Sequence, residues 1–204
     1  METEQRWTSS VVRRSPYLAG ATILLPLATA AGWSSLILVV LGHVIPAWVV
    51  STSLLVISMI LIGVHRVRQL YAADDRAPVP RLGLPRFVLG LLVAAAGLGS
   101  AFGAVSDLTG GADYRILQPA GPDGCVAVVR ETSFLKISNG EVYAVGRTGV
   151  AWRPSGSWVA DDIYRPVAEG TYELRWSGSS GMLAVSGSAT DPIVASELNP
   201  LECG

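Results

Sequence analysis

The stretch that decides the fold covers residues 15–64 and reads SPYLAGATILLPLATAAGWSSLILVVLGHVIPAWVVSTSLLVISMILIGV. None of its 50 residues is Asp, Glu, Lys or Arg, and most are Leu, Val, Ile, Ala or Gly. A second apolar stretch covers residues 87–106. Uninterrupted apolar runs of this length are typical of membrane-spanning segments and not of water-soluble domains. The sequence therefore predicts an integral membrane protein.

The length of the first stretch predicts two spans rather than one. A bilayer core of about 30 Å takes roughly 20 helical residues, so a helix through the whole stretch, about 75 Å long, would be far too long. A tight turn at residues 42–46 (GHVIP) separates the spans, because Gly is favoured just after a helix and Pro in the first turn of the next. We place the spans near residues 17–41, kinked at Pro26, and near 47–64. A third span lies near residues 87–105.

The start of the chain allows a second interpretation. Arg13 and Arg14, the apolar segment after them and the triplet Ala28-Thr29-Ala30 have the form of a signal peptide with a cleavage site. Paired arginines also occur in twin-arginine signals. The apolar stretch continues past the triplet without a polar break, which favours a retained helix. Either interpretation leaves the orientation of the rest of the chain unchanged.

The distribution of basic residues predicts the orientation. The tail, residues 1–14, holds three arginines, the loop at residues 65–86 holds five, and the turn at residues 42–46 holds no basic residue apart from a histidine. Basic loops stay in the cytoplasm, so the tail and the loop are expected inside. The third helix then runs outward through the cell membrane. After a link at residues 107–113, it delivers residues 114–204 to the extracytoplasmic side.

The net charge of −1 hides an asymmetry across the membrane. The two inside segments carry eight basic and four acidic residues, whereas residues 106–204 carry seven basic and twelve acidic ones. An acidic outer domain argues against nucleic-acid binding, which requires a basic patch. The predicted spans contain no charged side chain, which argues against a pump or a secondary transporter. The lipid bilayer is the partner that the composition predicts.

Both cysteines of the chain, Cys125 and Cys203, lie in the part predicted to be exported. A pair confined to an extracytoplasmic domain predicts a disulfide, and two unpaired thiols are the alternative. A metal site is not expected, because two thiols need further ligands and residues 107–204 contain no His. No sequence pattern indicates a cofactor.

The exported half has the pattern of an all-β domain. Short β-prone runs predict six to eight strands in a small sandwich or barrel. Asn139-Gly140 lies between two such runs and predicts a hairpin turn. The segment at residues 171–176 (TYELRW) alternates, so we expect Tyr172, Leu174 and Trp176 to face the core. Weaker strand candidates are residues 150–153, 157–160 and 193–198.

Catalytic candidates in this domain are limited to carboxylates. Without a His, a Ser-His-Asp or Cys-His arrangement is excluded there. Paired carboxylates can hydrolyse glycosidic bonds, and the candidates are Glu131, Asp161, Asp162 and Glu169. For the adjacent Asp161 and Asp162 the alternative is an ordinary turn, where Asp is common.

Two further patterns are candidates for interaction. Trp152, Trp158 and Tyr164 flank predicted loops, and an aromatic surface formed by them would suit a sugar, a peptide or the membrane surface. Gly99 and Gly103 have the small-x-x-x-small spacing of closely packed helices. That face of the third helix either packs against the other spans of its own chain, or forms a homodimer or docks on another membrane protein.

Three segments of the exported half resemble those of small, uncharacterised membrane proteins of actinobacteria. They are residues 130–135 (RETSFL), 141–145 (EVYAV) and 161–174 (DDIYRPVAEGTYEL). The resemblance implies an exported β domain and transfers no functional residue.

The expected function is therefore non-catalytic. The favoured interpretation is a membrane protein that presents an extracytoplasmic β domain for interaction or sensing in the cell envelope. One alternative is an accessory subunit of a membrane transport or secretion complex. Another is an envelope-acting hydrolase that uses Asp162 with Glu131 or Glu169.

Overall fold

A computed structural model of the chain describes residues 16–72, 86–187, 193–195 and 198–203. The predicted cytoplasmic tail and most of the predicted inner loop lie outside these residues. The described part consists of a bundle of helices followed by a domain of β-sheets.

The helical part contains α1 (Pro16–Gly32), α2 (Ala47–Ala72) and α3 (Arg86–Thr109), which pack on one another. Two of the described helices, α2 and α3, are long and apolar enough to cross a membrane. Helix α1 is apolar but has 17 residues, with Pro26 inside it. Both longer helices extend beyond the predicted limits at residues 64 and 105.

The predicted extent of the first span is wrong, because α1 ends at Gly32. The apolar residues that follow form an antiparallel hairpin of β1 (Ile37–Val40) and β2 (His43–Pro46). Its turn is Leu41-Gly42, where φ is 51° and 77°, as a two-residue type I′ turn requires. The β-branched residues of β1 suit a strand. An uninterrupted apolar run fits either a buried strand or a helix. The pattern of apolar residues therefore could not show that the helix ends and a strand begins within this run.

Small residues let α3 approach both neighbouring helices. A Cβ added to Gly99 would lie 2.9 Å from the carbonyl carbon of Gly32 in α1, and one added to Gly103 would lie 2.9 Å from Cβ of Trp48 in α2. Both distances are shorter than real contacts. The pair predicted to serve close packing is thus used within its own chain.

Buried hydroxyl groups also join the three helices. Ser100 on α3 donates to Oγ of Ser51 on α2 over 2.8 Å, and Ser51 donates to the carbonyl oxygen of Ala28 on α1 over 2.7 Å. Side-chain hydrogen bonds of this kind add to van der Waals packing where helices lack a hydrophobic driving force between them.

The described strands of the β domain are β3 (Asp113–Ile116), β4 (Val126–Phe134), β5 (Ile137–Val145), β6 (Val150–Ala151), β7 (Gly156–Asp161), β8 (Tyr172–Ser177), β9 (Ser180–Val185), β10 (Ile193–Ala195) and β11 (Leu198–Glu202). All except β6 form two antiparallel sheets with a shared core. The five-stranded sheet has the order β10-β7-β5-β4-β3, and the three-stranded sheet has the order β11-β9-β8. Strand β6 joins the hairpin strands in a small third sheet of order β2-β1-β6. Val129 and Trp158 of the five-stranded sheet pack with Leu174 and Leu183 of the sheet β11-β9-β8.

The other face of the five-stranded sheet is covered by the hairpin between α1 and α2. Ile37 of β1 packs with Val128, Tyr143 and Val145 in a second buried cluster. Strand β1 also pairs with β6, so that Ile37 lies opposite Ala151. The segment predicted to be a turn between two spans is therefore part of the β domain's own structure.

The predicted turn at Asn139-Gly140 is wrong. Strands β4 and β5 are joined at Leu135-Lys136, and Gly140 lies inside β5 opposite Glu131. A Cβ at Gly140 would overlap the indole ring of Trp158 on β7. Glycine is required there for close approach of a core side chain and not for a turn.

Two other predictions for this domain are confirmed, and one is wrong. Tyr172 and Trp176 pack against the core, as the alternation of residues 171–176 indicated. Cys125 and Cys203 form a disulfide with their Cα atoms 6.1 Å apart. The predicted link at residues 107–113 is mostly regular structure, because α3 continues to Thr109 and β3 begins at Asp113.

Candidate functional site

The four predicted carboxylates do not form a site in the structure. Glu131 is only 2% exposed, whereas Asp161, Asp162 and Glu169 lie on the surface. The buried carboxylate accepts hydrogen bonds from the backbone N–H groups of Val167 and Ala168, both over 2.9 Å. These groups belong to the short helix α4 (Pro166–Glu169) between β7 and β8. Glu131 thus holds this connection against β4.

The burial of Glu131 predicts a dependence of stability on pH. Burial raises the pKa of the Glu131 carboxyl above its ordinary value, although the two N–H donors and the charges of Arg115 and Arg165 act in the opposite direction. The folded state therefore keeps this proton to a higher pH than the unfolded state. The contribution of Glu131 to the free energy of unfolding therefore falls as the pH rises. The fall begins at the pKa of the carboxyl in the unfolded chain, about 4.3, and continues through its pKa in the folded state.

We expect the difference in unfolding free energy between the wild type and Glu131→Gln to change in that pH window, with the wild type losing stability relative to the variant as the pH rises. Urea titrations from about pH 4 to pH 7 measure this. Glu169→Gln changes an exposed carboxylate on the short helix that Glu131 contacts, so it is the matched control and should follow the wild type. A parallel pH course for wild type and Glu131→Gln would contradict the assignment.

The predicted aromatic surface is wrong in one of its three members. Trp158 is 2% exposed and belongs to the shared core of the two sheets. Trp152 is 67% exposed. Tyr164 is half-buried, and its hydroxyl is hydrogen-bonded to Oγ1 of Thr171 over 2.7 Å.

A charged network that the sequence did not predict lies where the helices meet the five-stranded sheet. Asp107, in the last turns of α3, accepts two hydrogen bonds from Arg130 of β4, from Nε over 3.2 Å and from Nη2 over 2.7 Å. Its other oxygen accepts bonds from Nε1 of Trp48 and from the hydroxyl of Tyr114, both over 2.8 Å. This one carboxylate therefore joins α2, α3, β3 and β4.

Arg130 continues the network across the sheet. Its Nη1 donates to Oε2 of Glu141 on β5 over 3.2 Å, and the hydroxyl of Tyr143 donates to the same oxygen over 2.9 Å. The side chain of Arg130 is 21% exposed and that of Asp107 is 11% exposed. A charge pair so shielded from water interacts more strongly than a surface pair.

The electrostatics of the network fix its protonation. Burial raises the pKa of the Tyr114 phenol, and its hydrogen bond to Asp107 raises the pKa further. Burial and the charge of Glu141 likewise raise the pKa of Tyr143. Burial by itself lowers the pKa of Arg130, but the hydrogen bond and charge of Asp107 outweigh it and raise that pKa. Both phenols therefore stay neutral and the guanidinium stays charged.

The network forms one wall of a cavity of about 270 Å³ between the helices and the sheet. Five aromatic side chains line it together with Arg130 and Glu141. Apart from the network, its lining comes from the end of α1, the segment that leads from α1 into β1, the end of β2, the start of α2 and the end of α3. The aromatic residues are Trp33, Trp48, Phe102, Tyr114 and Tyr143.

We call this cavity the junction cavity, because it lies where the helices join the five-stranded sheet. Its walls do not form a metal site, since the described residues contain no group of three or more His, Cys, Asp or Glu placed to hold a metal ion. Arg130 bridges both carboxylates of the cavity wall, Asp107 and Glu141. Comparisons of the chain with family models, with curated proteins and with solved structures found no match.

Proposed function

We propose that the chain is an integral membrane protein whose helices anchor an extracytoplasmic β domain, and that this domain acts by binding and not by catalysis, in interaction or sensing at the cell envelope. The observation that carries the proposal is the junction, the region where the helices meet the five-stranded sheet. There a hairpin from the helical part completes the β domain, and a shielded charge network joins helices to strands. Such a junction holds the domain in one position on its anchor.

Membrane residence is supported by the outward faces of α2 and α3. Large apolar side chains on both helices are mostly exposed, among them Leu70 at 76%, Phe87 at 79% and Phe102 at 75%. In water, a continuous surface of this kind would be unfavourable by roughly 25 cal/mol per Å² of apolar area. Contact with lipid acyl chains removes that cost, so this face supports a lipid-facing role.

A third crossing by α1 is part of the proposal. At about 1.5 Å per residue its length is about 25 Å, somewhat less than an average bilayer core. It packs between α2 and α3, with Ala21, Leu25 and Ala28 buried. Packing by neighbours and local thinning of the bilayer are known ways to accommodate a short span.

The orientation follows from the two ends of the bundle. Trp48 at the start of α2 bonds Asp107 near the end of α3, so the hairpin and the β domain lie at the same end. Helix α2 ends at Ala72 and α3 begins at Arg86, both at the opposite end of the bundle. The sequence between α2 and α3 is rich in arginine, and the positive-inside rule favours the cytoplasm for that end. The β domain is therefore proposed to be outside.

Thiol labelling of intact cells tests this orientation. Cysteines are introduced one at a time at Thr148, which is exposed in the β domain, and at Arg76 in the predicted inner loop. An impermeant maleimide should label Thr148→Cys in intact cells and Arg76→Cys only after lysis. The reverse pattern would overturn the proposed topology. Photo-crosslinking from position 152 in native membranes then tests the interaction role, since a binding domain should yield discrete adducts.

The turn between β4 and β5 is expected to touch the outer leaflet. Strand β4 runs antiparallel to β3, back toward the helices, and Ser133 donates its N–H to the carbonyl oxygen of Gly110 over 2.8 Å. Phe134 and Leu135 therefore lie beside the end of α3. They are 62% and 79% exposed, which suits an apolar tip at the level of the lipid headgroups.

An environment-sensitive fluorophore on Leu135→Cys should report an apolar environment in nanodiscs and be quenched by spin-labelled lipids. The same fluorophore on Thr148→Cys is the matched control and should report water, with little quenching. Equal, water-like emission from both positions would show that the tip does not reach the bilayer.

A further inference from the structure

We propose that the junction cavity binds a ligand carrying an ammonium group, either a free amine or quaternary cation or the headgroup of a lipid. The inference deepens the proposed binding function and rests on it for the lipid source only, because a headgroup reaches the cavity only if the junction lies at the membrane surface.

The first support is the charge of the cavity wall. Asp107 and Glu141 each contribute one negative charge, Arg130 contributes one positive charge, and the two phenols are neutral. The network thus has a net charge of −1 inside a partly enclosed space. A cation would neutralise it, whereas an anion would meet two carboxylates with their single counter-charge already engaged.

The second support is the count of hydrogen bonds. The indole N–H groups of Trp33 and Trp48 already donate to the carbonyl oxygen of Ala95 and to Asp107, over 3.0 Å and 2.8 Å. Both phenol hydroxyls donate to the carboxylates. All these aromatic donors are therefore in use.

Among the carboxylate oxygens, Oε1 of Glu141 is the one with capacity left. Both oxygens of Asp107 accept two bonds each, and Oε2 of Glu141 accepts two as well. No protein donor in the described part of the chain bonds Oε1, and the Glu141 side chain is 31% exposed. A ligand that fits must bring a donor or a positive charge to this atom.

The third support is the aromatic lining. Ammonium groups bind against the faces of Trp, Tyr and Phe, and quaternary ammonium groups are commonly held in aromatic cages. Trp33 and Phe102 are 66% and 75% exposed, so part of each ring is accessible from outside the protein. The cavity volume of about 270 Å³ suits a headgroup-sized cation and not a large substrate.

Choline is the probe, and its uncharged carbon isostere, 3,3-dimethylbutan-1-ol, is the control ligand. The full chain in nanodiscs of phosphatidylglycerol is titrated with each by calorimetry, and saturation-transfer NMR follows the choline methyl groups. Choline should bind at least about tenfold more tightly than the isostere, which corresponds to about 1.4 kcal/mol. Equal binding, or no binding by either compound, would overturn the proposal.

Glu141→Gln keeps the shape of the side chain and removes its charge, so it should weaken choline binding at least tenfold. Glu173→Gln is the matched control, because Glu173 is an exposed carboxylate that also pairs with an arginine, Arg175, but on β8. Unchanged binding in Glu141→Gln would contradict the assignment of the site.

A change of lipid in the nanodiscs distinguishes a lipid headgroup from a free cation as the natural ligand. In nanodiscs of phosphatidylcholine, headgroups that occupy the cavity would compete, so weaker apparent binding of choline assigns the site to a lipid, and undiminished binding assigns it to a free cation. Thiol labelling is independent of these titrations. If wild type does not bind choline but the thiol labelling gives the expected pattern, only this inference is rejected. If the labelling pattern is reversed, only the proposed topology is rejected.

Discussion

Replacing Arg130 with Met is expected to destabilise the β domain by about 3 kcal/mol, the lower end of the cost of breaking a shielded ion pair. The variant removes the donors that hold Asp107 and Glu141 and leaves two negative charges close together at the junction. The apolar stem is largely preserved, so the effect reports the lost charge and not lost packing. Urea titration followed by tryptophan fluorescence in nanodiscs measures it.

The matched control for this variant is Arg175→Met. Arg175 also pairs with a carboxylate, but both side chains are mostly exposed, at 77% and 59%, and surface pairs contribute about 0–1 kcal/mol. The double variant Arg130→Met, Asp107→Asn should recover part of the loss, because it removes the charge left unpaired. A loss in Arg130→Met no larger than in Arg175→Met would show that the network does not stabilise the junction.

Replacing Cys203 with Ser is expected to cost about 4.5 kcal/mol in the chain-entropy treatment, the largest effect predicted for the chain. The disulfide joins residues 78 positions apart and ties the end of β11 to the start of β4. Without the disulfide, the unfolded chain has a higher conformational entropy, because no cross-link closes this loop. The urea midpoint of the β domain should fall accordingly.

Reduction provides an independent measure of the same bond. Wild type treated with dithiothreitol should unfold at the urea concentration that unfolds Cys203→Ser, and the double variant Cys125→Ser, Cys203→Ser should match both. Cys125 is 2% exposed, so its thiol stays buried in the folded state until the chain opens. An unchanged midpoint after complete reduction would mean that the cross-link adds nothing to stability.

The parts of the fold that follow from simple counts could be predicted from the sequence. The two cysteines of the C-terminal half, the alternation of TYELRW and the apolar lengths of α2 and α3 each depend on local composition. The oxidising or reducing compartment decides whether cysteines pair, and the pleat of a strand decides which residues share a face. The thickness of the bilayer sets the length of an apolar helix. The prediction failed where two structures satisfy the same pattern. Residues 37–46 are apolar enough for a helix, but they bury that surface against a sheet whose strands begin far along the chain.

Gly140 shows the same limit on a smaller scale. Next to Asn139 it has the sequence of a hairpin turn, yet glycine is needed there because the ring of Trp158 lies where a Cβ would be. Which side chain comes close to a glycine is decided by the tertiary structure. Leu135, which has φ of 55° in the actual turn, carries no sequence signal for such a conformation.

The candidate site was missed for a related reason. Asp107 lay in a polar segment interpreted as a link, and Arg130 and Glu141 lay in the domain predicted to be all-β, where charged residues of strands usually face water. Only the docking of the sheet on the helices places the three together. A charged residue one turn from the end of an apolar span was a signal that could have indicated Asp107, because acids are rare at that depth.

The hairpin of β1 and β2 has a consequence for how the protein is made. It is synthesised before any other strand of the β domain exists, and its Ile37 must wait for Ala151 to emerge. An early segment thus serves as a template on which the later strands assemble. A soluble fragment that begins after α3 would lack this template and expose Val128, Tyr143 and Val145. Secretion of the fragment without its anchor should therefore yield aggregated material.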